Sequence, residues 1–503
     1  MRLRSLFLAA TLLVASLSAP ATPQLLDETD MWFNFGESGW GLNLIHQGDT
    51  MFGSLFVYGP DGQPRWYTAS ALVGGHDNVL HDQPRVYSGT LYESSGPPFS
   101  GPFDPNTVTR RDVGTMTLDL TSNPATLTYS VDGVQVTKTL QRFSFRSTNL
   151  TSISYAFLYQ PPGSDGTPAL ARDVHLFLTD DGTTVTGSSE SDSEAGCTYS
   201  GTHSLAGQYQ AVSGTYSCAG GTRTGSWFMS LDPTPHGLVG SFQGNGVGTF
   251  WGRVAGSYGG DTRFDDNGWR NGMWFPANES GWGLNVIEQG DTIFASLFVY
   301  DAQRRSHWYT GSALTRSGSG VNATFSGPLY ESTGPYFGAA TFDPAMVTRR
   351  QVGTMSFQLQ NAGQAVVSYS VDGASVMKNL VRFFFRKNDL SGGYLGHMVA
   401  TNNAPAGLSH DAINIDIVDG DGGFAMTTTP APTASDSAVC HFAGPSAQQA
   451  GEYRSVGGTY TCEDGESGTF AMDNLFVSFD GFTGSFTGRG VVGHIEGVRR
   501  DRN

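Results

Sequence analysis

The sequence predicts an all-β protein: a tandem array of antiparallel meander β-barrels or sandwiches in the order A-B-A-B. Three observations lead to this class. The chain contains an internal duplication, because Met31–Leu72 returns with most positions identical at Met273–Leu314. Glycine supplies 67 of the 503 residues and charged residues only 15%, which is typical of short strands and tight turns. Apolar positions also recur with a period of two along the repeated segments.

Residues 1–21 predict a secretory signal peptide. Basic Arg2 and Arg4 precede an apolar run, and a small-residue site follows at Ala19-Pro20-Ala21, as in cleaved export signals. The apolar run is too short to cross a bilayer, and no later segment is a better candidate. We therefore expect a secreted protein, extracellular or periplasmic, with no membrane span.

Each repeat divides into two β domains. The closely matched parts are domain A1 at 31–146 and domain A2 at 273–386. Domains B1 at 152–258 and B2 at 391–499 match more loosely and carry the cysteines. The polar, glycine-rich segment 259–272 predicts a linker between the repeats. A fragment ending near Asp261 is therefore expected to fold alone.

The sequence of domain A predicts β-strands, from residues that alternate between two faces, and tight turns between them. Along TMFGSLFVY, at positions 50–58, both sets of alternate residues are largely apolar, so both faces of this strand are expected to be covered. Asp-Gly pairs within Ser130–Gly133 and Ser370–Gly373 predict tight hairpins. A meander of roughly six to eight strands avoids exposed edges by closing into a barrel.

Two other motifs are interpreted as structural. Asp104 and Asp343 each precede a proline, a context that favours a turn or capping role. Gly488–Gly493 matches the spacing of a dinucleotide-binding loop, but no helix is predicted after it. We interpret it as a bend in a barrel strand.

The four cysteines predict two local disulfides. Cys197 and Cys218 lie in B1, and Cys440 and Cys462 occupy the matching places in B2. Export permits oxidation, and duplication of a self-contained unit favours pairing within each copy. A zinc site would need closely spaced ligands that this sequence lacks. No metal and no cofactor are therefore predicted.

The segments ESGWGLN, QGDT, SLFVY and WYT occur in domain A of both copies. This set resembles a repeat found in secreted bacterial proteins. The resemblance implies export but no mechanism, since the motif carries no known activity. The meander is similar to avidin and lipocalin barrels in architecture alone.

The charge balance narrows the class of partner. A formal net charge of −17 argues against nucleic acid, whose phosphates require clustered Lys and Arg. The partners left open are a glycan, a small molecule or other surface proteins.

A candidate binding site lies on the WYT strand. Trp66, Thr68 and Ser70 share one strand face by alternation, and Asn43 could join them from a neighbouring strand. An indole beside hydroxyl and amide groups suits a barrel mouth that receives a small ligand. The equivalent predicted residues of the second copy are Asn285, Trp308, Thr310 and Ser312. We expect two equivalent sites; the alternative is that the tryptophans are barrel core.

The predicted function is therefore a secreted, non-enzymatic binding protein that captures a glycan or small molecule at aromatic-lined barrel mouths. The alternative is an extracellular structural or protein-interaction protein with solid barrels. A carboxylate-dependent hydrolase using Glu37 and Glu93, which recur as Glu279 and Glu331, is a further alternative. No catalytic residue is predicted, because no histidine of domain A occurs in both copies to serve as a general base.

Overall fold

The computed structural model describes residues 27–500 apart from residues 49, 75–85, 161–169, 192–193, 208, 234–236, 247, 259–269, 319–322, 401–412, 431–437 and 479–480. It confirms the all-β tandem array. The described chain forms 33 β-strands and one-turn 3-10 segments that include Pro105–Thr107, Ala219–Gly221 and Pro344–Met346. None of the described helical turns has the length and apolar character of a membrane-spanning helix.

Domain A1 is a closed antiparallel barrel of eight strands in sequence order, in which the first strand pairs with the last. Its strands are Asp30–Phe33 (β1), Gly41–Gln47 (β2), Thr50–Tyr58 (β3), Pro64–Gly74 (β4), Val86–Ser95 (β5), Thr109–Asp119 (β6), Ala125–Val131 (β7) and Val134–Arg142 (β8).

Domain B1 is a second closed antiparallel barrel, in which the last strand pairs with the first. Its strands are Ser152–Gln160 (β9), Leu170–Asp180 (β10), Thr184–Ser191 (β11), Glu194–Ala206 (β12), Tyr209–Cys218 (β13), Arg223–Pro233 (β14), Gly237–Gly246 (β15) and Gly248–Tyr258 (β16).

Domain A2 repeats the closed barrel of A1. Its strands are Gly272–Phe275 (β17), Gly283–Gln289 (β18), Thr292–Tyr300 (β19), Ser306–Ser317 (β20), Thr324–Thr333 (β21), Thr348–Asn361 (β22), Gln364–Val371 (β23) and Ala374–Arg382 (β24). The C-terminal end of the predicted linker belongs to this barrel, because Gly272 opens β17 and Arg270 is only 1% exposed.

Domain B2 is a nine-stranded antiparallel sheet. Its strands are Gly392–Ala400 (β25), Ile413–Gly420 (β26), Gly423–Pro430 (β27), Cys440–Gly444 (β28), Gln448–Ala450 (β29), Tyr453–Cys462 (β30), Ser467–Val477 (β31), Gly481–Gly488 (β32) and Val491–Arg499 (β33). Pairing of β28 with β30 joins the two sides of the sheet, so B2 also closes on itself.

The interior of each A barrel is filled by side chains. In A1 it includes Leu42, Leu44, Leu55, Tyr67 and Met116, all buried in one cluster. These residues occupy alternate positions, because neighbouring side chains of a strand point to opposite faces. Each large aliphatic side chain buried in this way contributes about 1.5 to 3 kcal/mol.

The predicted turns are present. Asp132 and Gly133 have φ values of 47° and 82° and connect β7 to β8, as expected for a type I′ hairpin. Asp372 and Gly373 repeat this geometry. The Asp104 carboxylate accepts a hydrogen bond from the Asn106 backbone N–H, which caps a 3-10 turn as predicted. Gly488–Gly493 contains the turn of the β32–β33 hairpin, with positive φ at Arg489 and Gly490, so the predicted bend within a strand is a turn between two strands.

Both predicted disulfides are confirmed. Cys197–Cys218 joins directly opposite residues of β12 and β13. Cys440–Cys462 joins β28 to β30, the pair that closes B2. Each bond closes a short loop, with a sequence separation of 21 in B1 and 22 in B2.

Replacing Cys440 and Cys462 together by alanine should destabilise B2 by about 3 kcal/mol, because the bond restricts the unfolded chain. Differential scanning calorimetry of the full chain measures the loss. Reducing agent should then have no further effect on the B2 transition. An equal loss of stability in the A domains would show that the effect of the disulfide is not confined to B2.

The two repeats pack against each other along their length. The outer faces of β2–β4 in A1 meet those of β18–β20 in A2, and Ile45, Phe56 and Trp66 join the same buried cluster as the A2 core. Strands of B1 likewise lie against B2, with β16 beside β33. The two repeats therefore share a buried core in the full chain, and the folding of a fragment that ends near Asp261 stays a prediction.

Candidate functional site

The eight predicted binding residues lie on the outer faces of the A barrels, so their predicted position in a barrel lumen is wrong. Trp66, Thr68 and Ser70 do share one face of β4. The residues that alternate with them, Tyr67 and Ala69, belong to the A1 interior. The sequence does not reveal which face of these strands points into the barrel, because both faces are covered. One face is covered by the barrel core and the other by the second repeat.

The two tryptophans of the prediction hold the repeats together. Trp66 Nε1 donates a hydrogen bond to the Val299 carbonyl at 2.9 Å, and its ring packs 5.4 Å from that of Phe298. Trp308 Nε1 donates to the Val57 carbonyl at 3.1 Å. Both indoles are almost fully buried. The predicted residues therefore meet in one interface and do not form two separate, equivalent sites.

A row of polar side chains crosses this interface. Asn43, Ser54 and Thr68 are directly opposite one another on β2, β3 and β4. Asn43 and Ser54 are 2% and 1% exposed. Within the described residues, neither amide atom of Asn43 nor the Ser54 hydroxyl has a hydrogen-bond partner, and the Asn285 amide of A2 is also unpaired. Such groups are rare in folded proteins, because an unpaired buried polar atom costs about 1 to 3 kcal/mol.

The outer end of this face carries arginine–tyrosine pairs. Arg349 lies 3.5 Å over the Tyr330 ring and donates to the Ser312 hydroxyl at 2.5 Å. In A1, Arg110 lies 4.3 Å over the Tyr92 ring. The predicted residues Ser70 and Ser312 are thus at the partly exposed margin of the interface, whereas Asn43 and Asn285 are inside it.

Gln47, at the end of β2, binds the segment that follows the A2 barrel. Its Oε1 accepts hydrogen bonds from the Phe385 and Arg386 backbone N–H groups at 3.0 and 3.3 Å, and its Nε2 donates to the Phe383 carbonyl at 3.1 Å. Gln289 makes the equivalent contacts with the segment after the A1 barrel. The glutamine of the repeated QGDT text therefore connects each repeat to the other.

Replacing Gln47 by alanine should lower the free energy of unfolding of the full chain by about 2 kcal/mol, because two N–H groups and a carbonyl lose their partners. Urea denaturation measures the change. The matched control is Gln135→Ala, an exposed glutamine of the same barrel, which should have little effect. Equal effects of the two variants would contradict this role.

Each A barrel also packs against a phenylalanine from the other repeat: Phe337 is buried in the A1 core and Phe99 lies partly buried against the A2 core. The Phe99 backbone N–H donates to the Tyr300 carbonyl at 3.3 Å, and the Phe99 ring lies 5.9 Å from that of Tyr309 in the A2 interior. Conversely, the ring of Phe337 in A2 lies 6.1 Å from Tyr67 and belongs to the A1 core. We call Phe99 and Phe337 the reciprocal plugs.

The sequence analysis missed these plugs, although a signal for them was present. Both loops contain a glycine and proline before the phenylalanine, at Gly96-Pro97 and Gly334-Pro335. A Cβ atom at Gly96 would collide with the Tyr300 ring, and one at Gly334 with the Tyr58 ring. Glycine is therefore needed for the close approach of each loop to the other barrel.

The carboxylates of the hydrolase alternative are held in ion pairs. Glu37 accepts hydrogen bonds from Lys138 Nζ at 2.7 Å and Trp40 Nε1 at 3.2 Å. Glu93 binds Arg111 at 2.6 Å, and Arg111 also binds Asp132. The second copy repeats both arrangements, with Glu279 paired to Lys378 and Glu331 to Arg350.

In A2 a histidine joins the second of these networks. His307 Nε2 lies 3.0 Å from the Glu331 carboxylate. The hydrogen bond with His307, followed by that with Arg350, lowers the pKa of Glu331 to about 2. A general acid needs a pKa near the working pH, so this environment favours a permanently charged structural carboxylate.

An open groove of about 620 Å³ lies on the outer face of β21–β24 in A2. Its lining includes Ser326, Ser356 and Ser368, and the side chain of Met377 beside them is 72% exposed. None of the residues that line the groove is charged.

Comparisons of the chain with protein-family models, with curated proteins and with solved structures found no match.

Proposed function

We propose that this chain is a secreted, non-enzymatic protein whose solid barrels form a rigid structural or protein-interaction module outside the cell. The observation that carries this proposal is the pair of reciprocal plugs. Phe99 and Phe337 fill barrel ends that would otherwise be the natural entrances for a small ligand. A protein of this kind engages partners through its outer surface.

Two further features support the proposal. The tryptophans expected to line a ligand site are used in packing between the repeats. The recurrent glutamates are neutralised by Lys138, Arg111 and their second-copy equivalents. The first feature fixes the two repeats to each other, and the second engages the carboxylates that a hydrolase would need.

A tryptophan-fluorescence titration of the full chain against a panel of oligosaccharides and metabolites tests this proposal. We expect no saturable change in fluorescence with any member of the panel. Saturable binding of a panel member would overturn the proposal and favour ligand capture.

Ligand capture remains a second candidate because of the unpaired amides of Asn43 and Asn285 and the Ser54 hydroxyl. The site would then lie between the barrels, and one chain would bind one molecule of a glycan or other neutral, hydrogen-bonding compound. If the panel yields a ligand, Asn43→Leu with Asn285→Leu should weaken its binding about tenfold or more.

The control for that double variant is Ser88→Ala with Ser326→Ala, two exposed outer-face serines. Isothermal titration calorimetry gives the number of sites. Two binding events per chain, or binding unaffected by the asparagine substitutions, would rule out the inter-barrel site.

A further inference from the structure

The contacts between A1 and A2 occur in matched pairs. Trp66 Nε1 donates a hydrogen bond to the Val299 carbonyl at 2.9 Å. Trp308 Nε1 donates to the Val57 carbonyl at 3.1 Å. In the duplication, Trp308 stands at the position of Trp66, and Val299 stands at that of Val57. The second hydrogen bond is therefore the first one with the two repeats exchanged.

The loops of the reciprocal plugs show the same exchange. The Gly96 backbone N–H donates to the Arg304 carbonyl at 3.2 Å. The Gly334 backbone N–H donates to the Gly62 carbonyl at 3.1 Å. Gly62 and Arg304 occupy equivalent turns of the two A barrels, and both have positive φ. Each loop thus binds the same backbone position of the other barrel.

An approximate two-fold axis relates the two A barrels. The ring of Phe56 packs against that of Phe298, which is its own equivalent, with the ring centroids 6.3 Å apart. A residue that contacts its own equivalent lies beside such an axis. Gln47 and Gln289 also make the same three hydrogen bonds in opposite directions. The repeats are therefore arranged like the two subunits of a two-fold dimer.

An interface of this kind is self-complementary. The same patch lies on both sides of it, so that if one residue contacts a second, the equivalent of the second contacts the equivalent of the first. Each repeat therefore carries the whole recognition surface. The A1 surface fits the second repeat of another copy of this chain as well as it fits its own.

One ion pair adds a preference for unlike repeats. Arg305 of A2 lies 3.2 Å from the Asp61 carboxylate of A1. The position of Arg305 is occupied by Gln63 in A1, and that of Asp61 by Gln303 in A2. Two first repeats, or two second repeats, would lack this pair. The charges therefore favour contact between a first and a second repeat.

We propose that the surface between A1 and A2 is a self-recognition surface through which two chains exchange repeats. The first repeat of each chain then packs against the second repeat of the other, and we call this assembly the exchange dimer. The proposal rests on the proposed structural or protein-interaction function and names one partner for it, a second copy of this chain. The exchange dimer keeps the contacts of two monomers, because each interface joins the same residues.

Concentration decides between the monomer and the exchange dimer. Within one chain the two repeats meet at an effective concentration set by the linker, which is in the millimolar range for short flexible linkers. The repeats of a folded chain must also separate before they can exchange. Refolding at high protein concentration avoids this step and therefore favours the dimer.

Refolding of the full chain tests the proposal. The chain is unfolded in urea with its disulfides intact, refolded at about 1 µM and at about 100 µM, and analysed by size exclusion with light scattering. By mass action the ratio of dimer to monomer should be about 100-fold higher in the second sample.

Two charge-reversal variants show which surface joins the chains. Asp61→Arg and Arg305→Asp each bring like charges together where A1 meets A2. Both side chains are more than 40% exposed, so the variants should fold. In a refolded mixture, the first repeat of the Asp61→Arg chain meets the second repeat of the Arg305→Asp chain, and opposite charges face each other again. The other interface of this mixed dimer is that of the wild type.

Native mass spectrometry, with one variant labelled with ¹⁵N, counts the mixed dimers. They should exceed the two homodimers together by about threefold or more, whereas labelled and unlabelled wild type should give equal amounts. A chain that stays monomeric at both concentrations would overturn the proposal. Dimers of the two variants in the statistical ratio would also contradict it, because they would form through another surface. The fluorescence titration reports on the proposed function separately, since it uses the monomer.

Discussion

Replacing Phe337 by alanine should destabilise barrel A1 by about 3 to 5 kcal/mol, although Phe337 belongs to the second repeat. The Phe337 side chain is 7% exposed and packs against Tyr67 and Tyr129 inside A1. Its removal leaves a cavity at the barrel end that the surrounding strands cannot fill. Hydrogen exchange resolved by domain, together with chemical denaturation, measures the effect.

The controls use the same substitution elsewhere. Phe99→Ala should weaken A2 instead of A1, because Phe99 packs against Tyr309 and Tyr369. Phe384→Ala, at a phenylalanine that is 48% exposed, should have a much smaller effect. If Phe337→Ala destabilised only A2, Phe337 would not stabilise the barrel of the other repeat, and the plugs would not be reciprocal.

Glu452→Gln should stabilise the folded chain at pH 8 by an amount on the order of 4 kcal/mol and have little effect below pH 4. The pKa of Glu452 rises from 4.5 to about 8 on folding, through burial and then Asp27. The folded protein therefore binds this proton more tightly than the unfolded chain. Its contribution to stability is complete below pH 4.5, declines as the pH rises, and is lost above about pH 8.

Urea denaturation at a series of pH values measures this dependence. The difference between the free energies of unfolding of variant and wild type should grow between pH 4.5 and 8 and then level off. A constant difference across the series would mean that Glu452 is ionised in the folded protein at neutral pH.

The all-β architecture could be predicted from local patterns in the sequence. The duplication, the period of two and the Asp-Gly turns predicted a tandem array of antiparallel barrels or sandwiches, because strand alternation and hairpin geometry depend on neighbouring residues. The disulfides were predictable for a similar reason: Cys197 and Cys218 lie on strands adjacent in sequence, and Cys440 and Cys462 on strands separated by a single three-residue strand.

The sequence grouped the residues of the candidate site correctly but assigned them to the wrong face of the barrel. Trp66, Thr68 and Ser70 do share a face. However, an apolar residue on a strand gives the same signal whether it faces the barrel interior or another barrel. The choice between these two environments depended on the packing of A1 against A2.

Several residues kept in both copies make the contacts between the repeats, and their partners lie far away in the chain. Gln47 binds the segment beginning at Phe383, and Phe99 and Phe337 each enter the barrel of the other repeat. Alternation, turn chemistry and cysteine spacing are local properties, so the amino-acid sequence alone specified strands, hairpins and disulfides. Which face is covered, and by which repeat, depends on contacts between distant segments, and those appeared only when the barrels were packed together.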